Sequence, residues 1–275
     1  MAFARVSDLN LYYEVSGDEA GAAGTVLWLH GLGSSAADWA LQVAAFAGQY
    51  RLITVDLRGH GRSLDGALRY TIEQLADDVA ALLAQLAEPA CHVVGLSLGG
   101  CVAQSLALRH PERVRSLVLV NTFARLQPAG LRGTGRFMKR VWLFVAAPMP
   151  ALAEYIAAGL FPKPEQRPYY TEAVMRLSRN GKRPYLASMR AVIRFDVRRE
   201  LGALRCPTLI VAGDRDQTVP RAAIEVLRRS IPGAQFALIR DSGHATPIDQ
   251  VGEFNRVVLW FIRDHSDAGC TSPDS

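Results

Sequence analysis

Six short, nearly unbroken apolar runs punctuate the chain: "TVLWLH" (25–30), "RLITVD" (51–56), "CHVVGL" (91–96), "RSLVLVN" (115–121), "PTLIVAG" (207–213) and "QFALI" (235–239). Runs of this length, rich in Val, Leu and Ile, suit strands buried on both faces of a parallel sheet. An earlier stretch, "LNLYYEV" (9–15), alternates apolar and polar positions and predicts a half-buried antiparallel strand. The residues after it, "GDEAGAAG" (17–24), read as a turn. Between the runs the period changes to three and four. This predicts helices over 71–87, with Thr71 as N-cap and Pro89 beyond the end, and over 98–110, 221–231 and 251–265. Strand and helix in alternation argue for a doubly wound α/β domain.

The rhythm breaks after residue 122. From there to about 200 no strand-like run occurs, only helical, aromatic and proline-rich material. Almost 80 residues are too many for a plain connection between two core strands. We divide the chain into a core, 1–122 and 201–265, and a helical insertion, 123–200, expected to sit over the carboxyl edge of the sheet. The polar tail 266–275 is expected to be disordered. No internal repeat is visible.

Composition narrows the function classes. The 275 residues carry a net charge of +5, and lysine contributes only Lys139, Lys163 and Lys182. The arginines are scattered rather than run together with aromatics, which argues against nucleic-acid binding. The start, "MAFARVSDLNLYYEV", lacks the basic region and apolar stretch of a signal peptide, and no run reaches the length of a membrane span. Cys91, Cys101, Cys206 and Cys270 show no metal-binding or redox spacing. The expectation is a cytoplasmic protein with reduced thiols, working without nucleic acid or membrane.

Candidate chemistry gathers where strands end, as it does in open parallel sheets. "GLSLG" (95–99) lies between a strand and a helix. A serine presented at the apex of such a turn needs glycine two residues before and two after, because side chains there would collide. Gly95 and Gly99 meet that need, and Ser97 becomes a candidate nucleophile. A hydroxyl is a poor nucleophile without a base to take its proton. Of the six histidines, His244 in "DSGHATP" follows the last strand and can overhang Ser97, and it is the candidate base. "AGDRDQTVP" (212–220) supplies the acid that orients it: Asp216, with Asp214 as the alternative. The oxyanion requires two N–H donors, assigned to Leu98 and, in "HGLGSS" (30–35), Leu32. His30 is expected to bond loop backbone. Asp56 and Arg58 of "DLRGHGRS" (56–63) are expected to bond internally rather than act in catalysis.

Together, "LHGLGSS", "DLRGHGRS", "VVGLSLGG", "ALRHPERVRSLVLVNT", "PTLIVAGDRDQTVP" and "DSGHATPIDQVGEFN" resemble the α/β-hydrolase superfamily over residues 9–264. The likeness is to small bacterial carboxylesterases, 3-oxoadipate enol-lactonases and carbon–carbon bond hydrolases. It implies the α/β-hydrolase fold: an eight-stranded, mostly parallel sheet flanked by helices, with a helical cap. It also implies an active site between cap and core, no cofactor and no metal. The aspartate that haloalkane dehalogenases and epoxide hydrolases carry at this turn is here Ser97, which excludes their chemistry. Cofactor-free dioxygenases and perhydrolases share much of the skeleton.

The expected activity is carboxylic ester hydrolysis by Ser97, His244 and Asp216, on small to medium acyl chains, by a monomer or homodimer. Gly31, Trp142 and Val219 are named as substrate contacts, and about a third of the cap aromatics are expected to face substrate. Rival expectations are enol-lactone or carbon–carbon bond hydrolysis, and a ligand receptor on the same fold. A lactone carboxylate would need an arginine, with Arg132, Arg136, Arg140 and Arg194 as candidates, although a surface role is expected for each.

Overall fold

The computed structural model describes residues 2–17, 23–126, 130–179 and 181–266, with the backbone alone at 131 and 132. The expected turn at 17–24 lies mostly outside these residues, and the expected disorder of the tail lies outside them beyond Ser266. Eight strands form one sheet: β1 (Ala2–Val6), β2 (Leu9–Ser16), β3 (Thr25–Leu29), β4 (Arg51–Val55), β5 (Cys91–Leu96), β6 (Val114–Val120), β7 (Thr208–Gly213) and β8 (Gln235–Ile239). Their order is β1-β2-β4-β3-β5-β6-β7-β8. β2 pairs antiparallel with β1 and β4, as its alternating pattern predicts, and all strands from β4 to β8 run parallel.

Successive strand residues point to opposite faces, so each apolar run feeds two cores. Leu27, Leu29, Val93, Leu117 and Leu119 pack with α2 (Ile72–Gln85), α3 (Leu98–Arg109) and α8 (Arg221–Ser230). Val26, Trp28, Val94, Val118 and Val211 pack on the other face with α1 (Ala40–Phe46) and α10 (Val251–Asp264). Helices on both faces explain why β3, β5, β6 and β7 carry no polar alternation. The Thr71 hydroxyl caps α2 by accepting the Gln74 N–H at 3.3 Å.

Four helices stand between β6 and β7: α4 (Gly130–Ala146), α5 (Met149–Leu160), α6 (Arg167–Arg179) and α7 (Lys182–Arg194). They have a small apolar cluster of their own around Leu152, Leu177 and Tyr185. Polar contacts tie them to the core. Lys163 Nζ donates to Asp241 Oδ2 at 2.9 Å, Tyr70 and Ser188 share a hydroxyl hydrogen bond of 2.7 Å, and Arg176 pairs with Asp38.

Four elements depart from the sequence reading. β1, α1 and the one-turn helix α9 (Thr246–Asp249) are additional elements. β8, read as buried on both faces, is an edge strand with Leu238 43% exposed. It has a neighbour on one side only, and its run is too short for the pattern to show this.

Candidate active site

Ser97 stands alone between β5 and α3, at φ 54° and ψ −112°. Its backbone is clamped on both sides. The Ser97 N–H donates to Val120 O at 2.9 Å, while Ser97 O accepts the Cys101 N–H at 3.1 Å and the Thr122 hydroxyl at 2.7 Å. The flanking glycines are required by space. A Cβ on Gly95 would lie 2.4 Å from Gly99 O, and one on Gly99 would lie 2.1 Å from Leu29 O. Backbone atoms cannot yield to such contacts, so the turn admits no side chain at either position. A third glycine, Gly100, is required by a contact distant in sequence; its Cβ would lie 2.6 Å from the Thr122 Cβ.

Asp216 sits in the loop after β7. Its Oδ1 accepts the Thr218 N–H at 2.7 Å and the Val219 N–H at 3.1 Å, and its Oδ2 lies 2.8 Å from His244 Nδ1. The carboxylate can only accept, so Nδ1 carries a proton, and in the neutral ring that tautomer places the lone pair on Nε2. The two side chains are 5% and 8% exposed. Asp214, the alternative acid, is exposed and accepts the Ser242 N–H at 3.1 Å.

The histidine loop has a buried frame that the sequence did not announce. Asn121, at φ 43° after β6, donates from Nδ2 to His244 O at 2.8 Å and Gly243 O at 3.2 Å. Its Oδ1 accepts the Gly213 N–H at 2.9 Å. Asp249 Oδ2 accepts the Gly243 N–H at 2.6 Å, and Asp249 also bonds Gln166 of the insertion. Burial pushes the Asp249 carboxyl up, against the pull of the Gly243 amide.

The "HGLGSS" loop is pinned from below. His30 is fully buried; its Nε2 accepts the Leu57 N–H at 3.0 Å, which leaves Nδ1–H to donate to Gly31 O at 2.8 Å. Burial holds its pKa down at about 4, so the ring is neutral. Asp56 accepts the Ala36 N–H at 2.7 Å and the Arg62 N–H at 2.8 Å. Arg58 chelates Asp78 at 2.7 and 2.8 Å. These are the structural roles expected of His30, Asp56 and Arg58.

One cavity of about 850 Å³ collects these groups: Ser97, Asp216, His244, Gly31, Leu32 and Leu98 all lie on its wall. A Cβ on Gly31 would sit 3.7 Å from the Ser97 Cβ, so Gly31 borders the serine directly. Leu98 is the first residue of α3, where an α-helix leaves its amides without intrahelical acceptors. The insertion supplies the opposite wall. Phe137, Tyr155, Phe161 and Tyr169 line it, more than the expected third of the aromatics considered.

Two expected substrate contacts lie elsewhere. Trp142 is 62% exposed and off the cavity wall, because α4 turns its 138, 141, 142 and 145 positions to solvent. Val219 is buried and serves Asp216 through its N–H. Of the four arginines considered, Arg136 and Arg140 reach the cavity wall; Arg136 is also exposed, as its expected surface role requires, whereas Arg140 is part-buried. Arg194 lines a separate cavity with Arg69 and Arg190, and the Arg132 side chain lies outside the described residues. Among the described residues no cluster of His, Cys, Asp or Glu could hold a metal ion, and no helix is long and apolar enough to cross a membrane.

A sequence model of the α/β hydrolase fold matches residues 24–251. The chain belongs to the α/β-hydrolase family. It is 36% identical to the protein named "Putative carbamate hydrolase RutD" of Variovorax paradoxus, over 94% of this chain and 98% of that one. It is 33% identical to a pimeloyl-[acyl-carrier protein] methyl ester esterase of Aeromonas hydrophila, over 90% and 99%. Among solved structures, the enol-lactonase of Burkholderia xenovorans LB400 superposes with a TM-score of 0.87 at 28% identity, covering 95% of this chain and 99% of that one. The chain is thus a hydrolase of the α/β fold, with the eight-stranded, mostly parallel sheet that the sequence resemblance implied.

Proposed function

We propose that this α/β-hydrolase is a serine carboxylesterase acting on esters of small to medium acyl chains through an acyl-enzyme. The observation that carries the reading is the meeting of a strained Ser97 and a carboxylate-oriented His244 on one cavity wall. Nε2 of His244 takes the Ser97 proton as Oγ attacks the ester carbonyl. The Leu32 and Leu98 amides hold the oxyanion; donors of this kind contribute about 3–4 kcal/mol each to transition-state binding. His244 then protonates the leaving alkoxide, and afterwards takes a proton from the water that attacks the acyl-enzyme. Asp216 fixes the tautomer throughout and stabilises the imidazolium. No step calls on a metal or cofactor.

The likeness to RutD of Variovorax paradoxus gives weight to a second bond class. A carbamate presents the same carbonyl to the same nucleophile, and its expulsion of an alcohol or amine uses the same proton from His244.

Hydrolysis of p-nitrophenyl esters from C2 to C12, with Ser97→Ala as control and p-nitrophenyl N-alkylcarbamates alongside, tests both. Ser97-dependent turnover with an optimum chain length is the expected result. Folded protein without turnover on any ester overturns the esterase reading, and faster turnover of the carbamates replaces it with the second.

A further inference from the structure

The charge on the cavity wall is unbalanced. Four arginines line it, Arg136, Arg140, Arg176 and Arg221, against two carboxylates, Asp38 and Asp216. Both carboxylates are already engaged, Asp38 by Arg176 and Asp216 by His244. Among the described residues, Arg136, Arg140 and Arg221 have no carboxylate partner. Around α4 the sequence offers them no acid nearby in the chain, since residues 113–153 contain no Asp or Glu.

Arg136 and Arg140 are one helical turn apart on α4, an arrangement in which two like charges repel. Their partners are neutral. Arg136 donates to Gln217 Oε1 at 2.9 Å and Gln217 O at 2.7 Å. Arg140 is only part-exposed, and two of its nitrogens, Nε at 2.7 Å and Nη2, donate to the hydroxyl of buried Tyr185. That grip orients the guanidinium and leaves Nη1 without a protein acceptor among the described residues. Arg136 and Arg221 are exposed and keep their hydration, but part-buried Arg140, held in the cavity wall without a counter-charge, has given up hydration that an anion would restore. A guanidinium edge matches a carboxylate in shape and charge.

We propose that the ester cleaved at Ser97 carries a carboxylate remote from the scissile bond, and that Arg140, with Arg136 beside it, holds that carboxylate. This rests on the esterase reading above and names its substrate class. The same cavity carries apolar lining, Leu32, Phe137 and Ile156 among it, which suits the carbon chain that joins the two ends.

Two matched pairs test it by pH-stat: monoethyl adipate against ethyl hexanoate, with the charge on the acyl side, and 6-acetoxyhexanoate against hexyl acetate, with it on the alcohol side. Charge-assisted hydrogen bonds predict that the anionic member of at least one pair has a kcat/KM about tenfold or more above its neutral partner. Arg140→Gln is expected to collapse that ratio through KM, and Arg140→Lys to restore part of it. Trp142→Ala, on the solvent side of α4, leaves both rates unchanged. Should Arg140→Gln lose its fold, Arg136→Gln on the more exposed turn gives the same readout. Calorimetry of adipate on the Ser97→Ala protein reads the subsite without turnover, with binding weakened about tenfold by adding Arg140→Gln. Ester turnover without charge preference, and no adipate binding, overturns the subsite and leaves the esterase standing. Adipate binding that depends on Arg140, without turnover of any ester, keeps the subsite and overturns the esterase.

Discussion

Asn121 holds the backbone of His244. One side-chain amide reaches three strand ends: it follows β6, its Oδ1 takes the Gly213 N–H at the end of β7, and its Nδ2 donates to His244 O in the loop beyond β8. Asn121→Asp keeps the acceptor and loses the donor, placing a buried carboxylate against two carbonyl oxygens. Leaving such groups unsatisfied costs about 1–3 kcal/mol, more when charged. The expected outcome is a lower urea midpoint for both Asn121→Ala and Asn121→Asp, with Asn121→Asp the worse. The kcat should fall further than the loss of folded protein explains. An unchanged kcat per folded molecule would refute the positioning role.

Strain at Ser97 has its own signature. A non-glycine residue at this φ/ψ costs about 1–3 kcal/mol, and glycine adds about 0.5–1 kcal/mol of freedom to the unfolded chain. Ser97→Gly should therefore abolish turnover and raise the unfolding midpoint, whereas Ser97→Ala abolishes turnover and keeps the strain. A midpoint for Ser97→Gly at or below that of Ser97→Ala would count against stored strain.

Three buried histidines set the acid limit. Burial holds His30 and His92 at about 4 and His60 at about 3, with Arg115 adding to the effect on His92 and His30 to that on His60. Their unfolded value is about 6.5. A depressed histidine binds its proton only on unfolding, so its contribution is complete above pH 6.5 and declines as pH falls towards 4. Each such histidine removes about 1.4 kcal/mol per pH unit in that window. Urea midpoints measured from pH 7.5 to 4.5 should fall steeply below 6.5, and His60→Gln should flatten the slope. A flat profile would show that these rings are charged when folded.

The Arg58–Asp78 pair is 2% exposed on both sides. Removing one partner of a buried pair costs about 3–5 kcal/mol, so Asp78→Ala should unfold at markedly lower urea. Gly252→Ala, in open space on α10, provides the contrast, with an expected gain of about 0.5–1 kcal/mol. Equal effects from the two changes would contradict this account of the pair.

Sheet, core helices and the Ser97, Asp216 and His244 constellation were legible because each has a local signal. Apolar runs mark strands covered on both faces, and Gly95 and Gly99 mark a turn that admits no side chain. What escaped depends on distance in space. Asn121 carries no local signal, because its bonds reach residues 92 and 123 positions away. Trp142 and Arg140 are two residues apart on one helix and face opposite ways. The residue types alone point tryptophan to the cavity and arginine to solvent, and only the packing of α4 on its neighbours reverses this. The run of β8 reads like a buried strand because an edge strand and a central strand differ only in what lies beside them.

The link from Gln166 to Asp249, and from Asp249 to the Gly243 N–H, runs from the insertion to the residue before His244. In the proposed reaction this joins the part of the chain that walls the cavity to the loop that carries the base. An engineer who grafts a foreign insertion to change the accepted substrate also rewires the base, and a graft without a donor at position 166 should accept its new substrate and turn it over slowly.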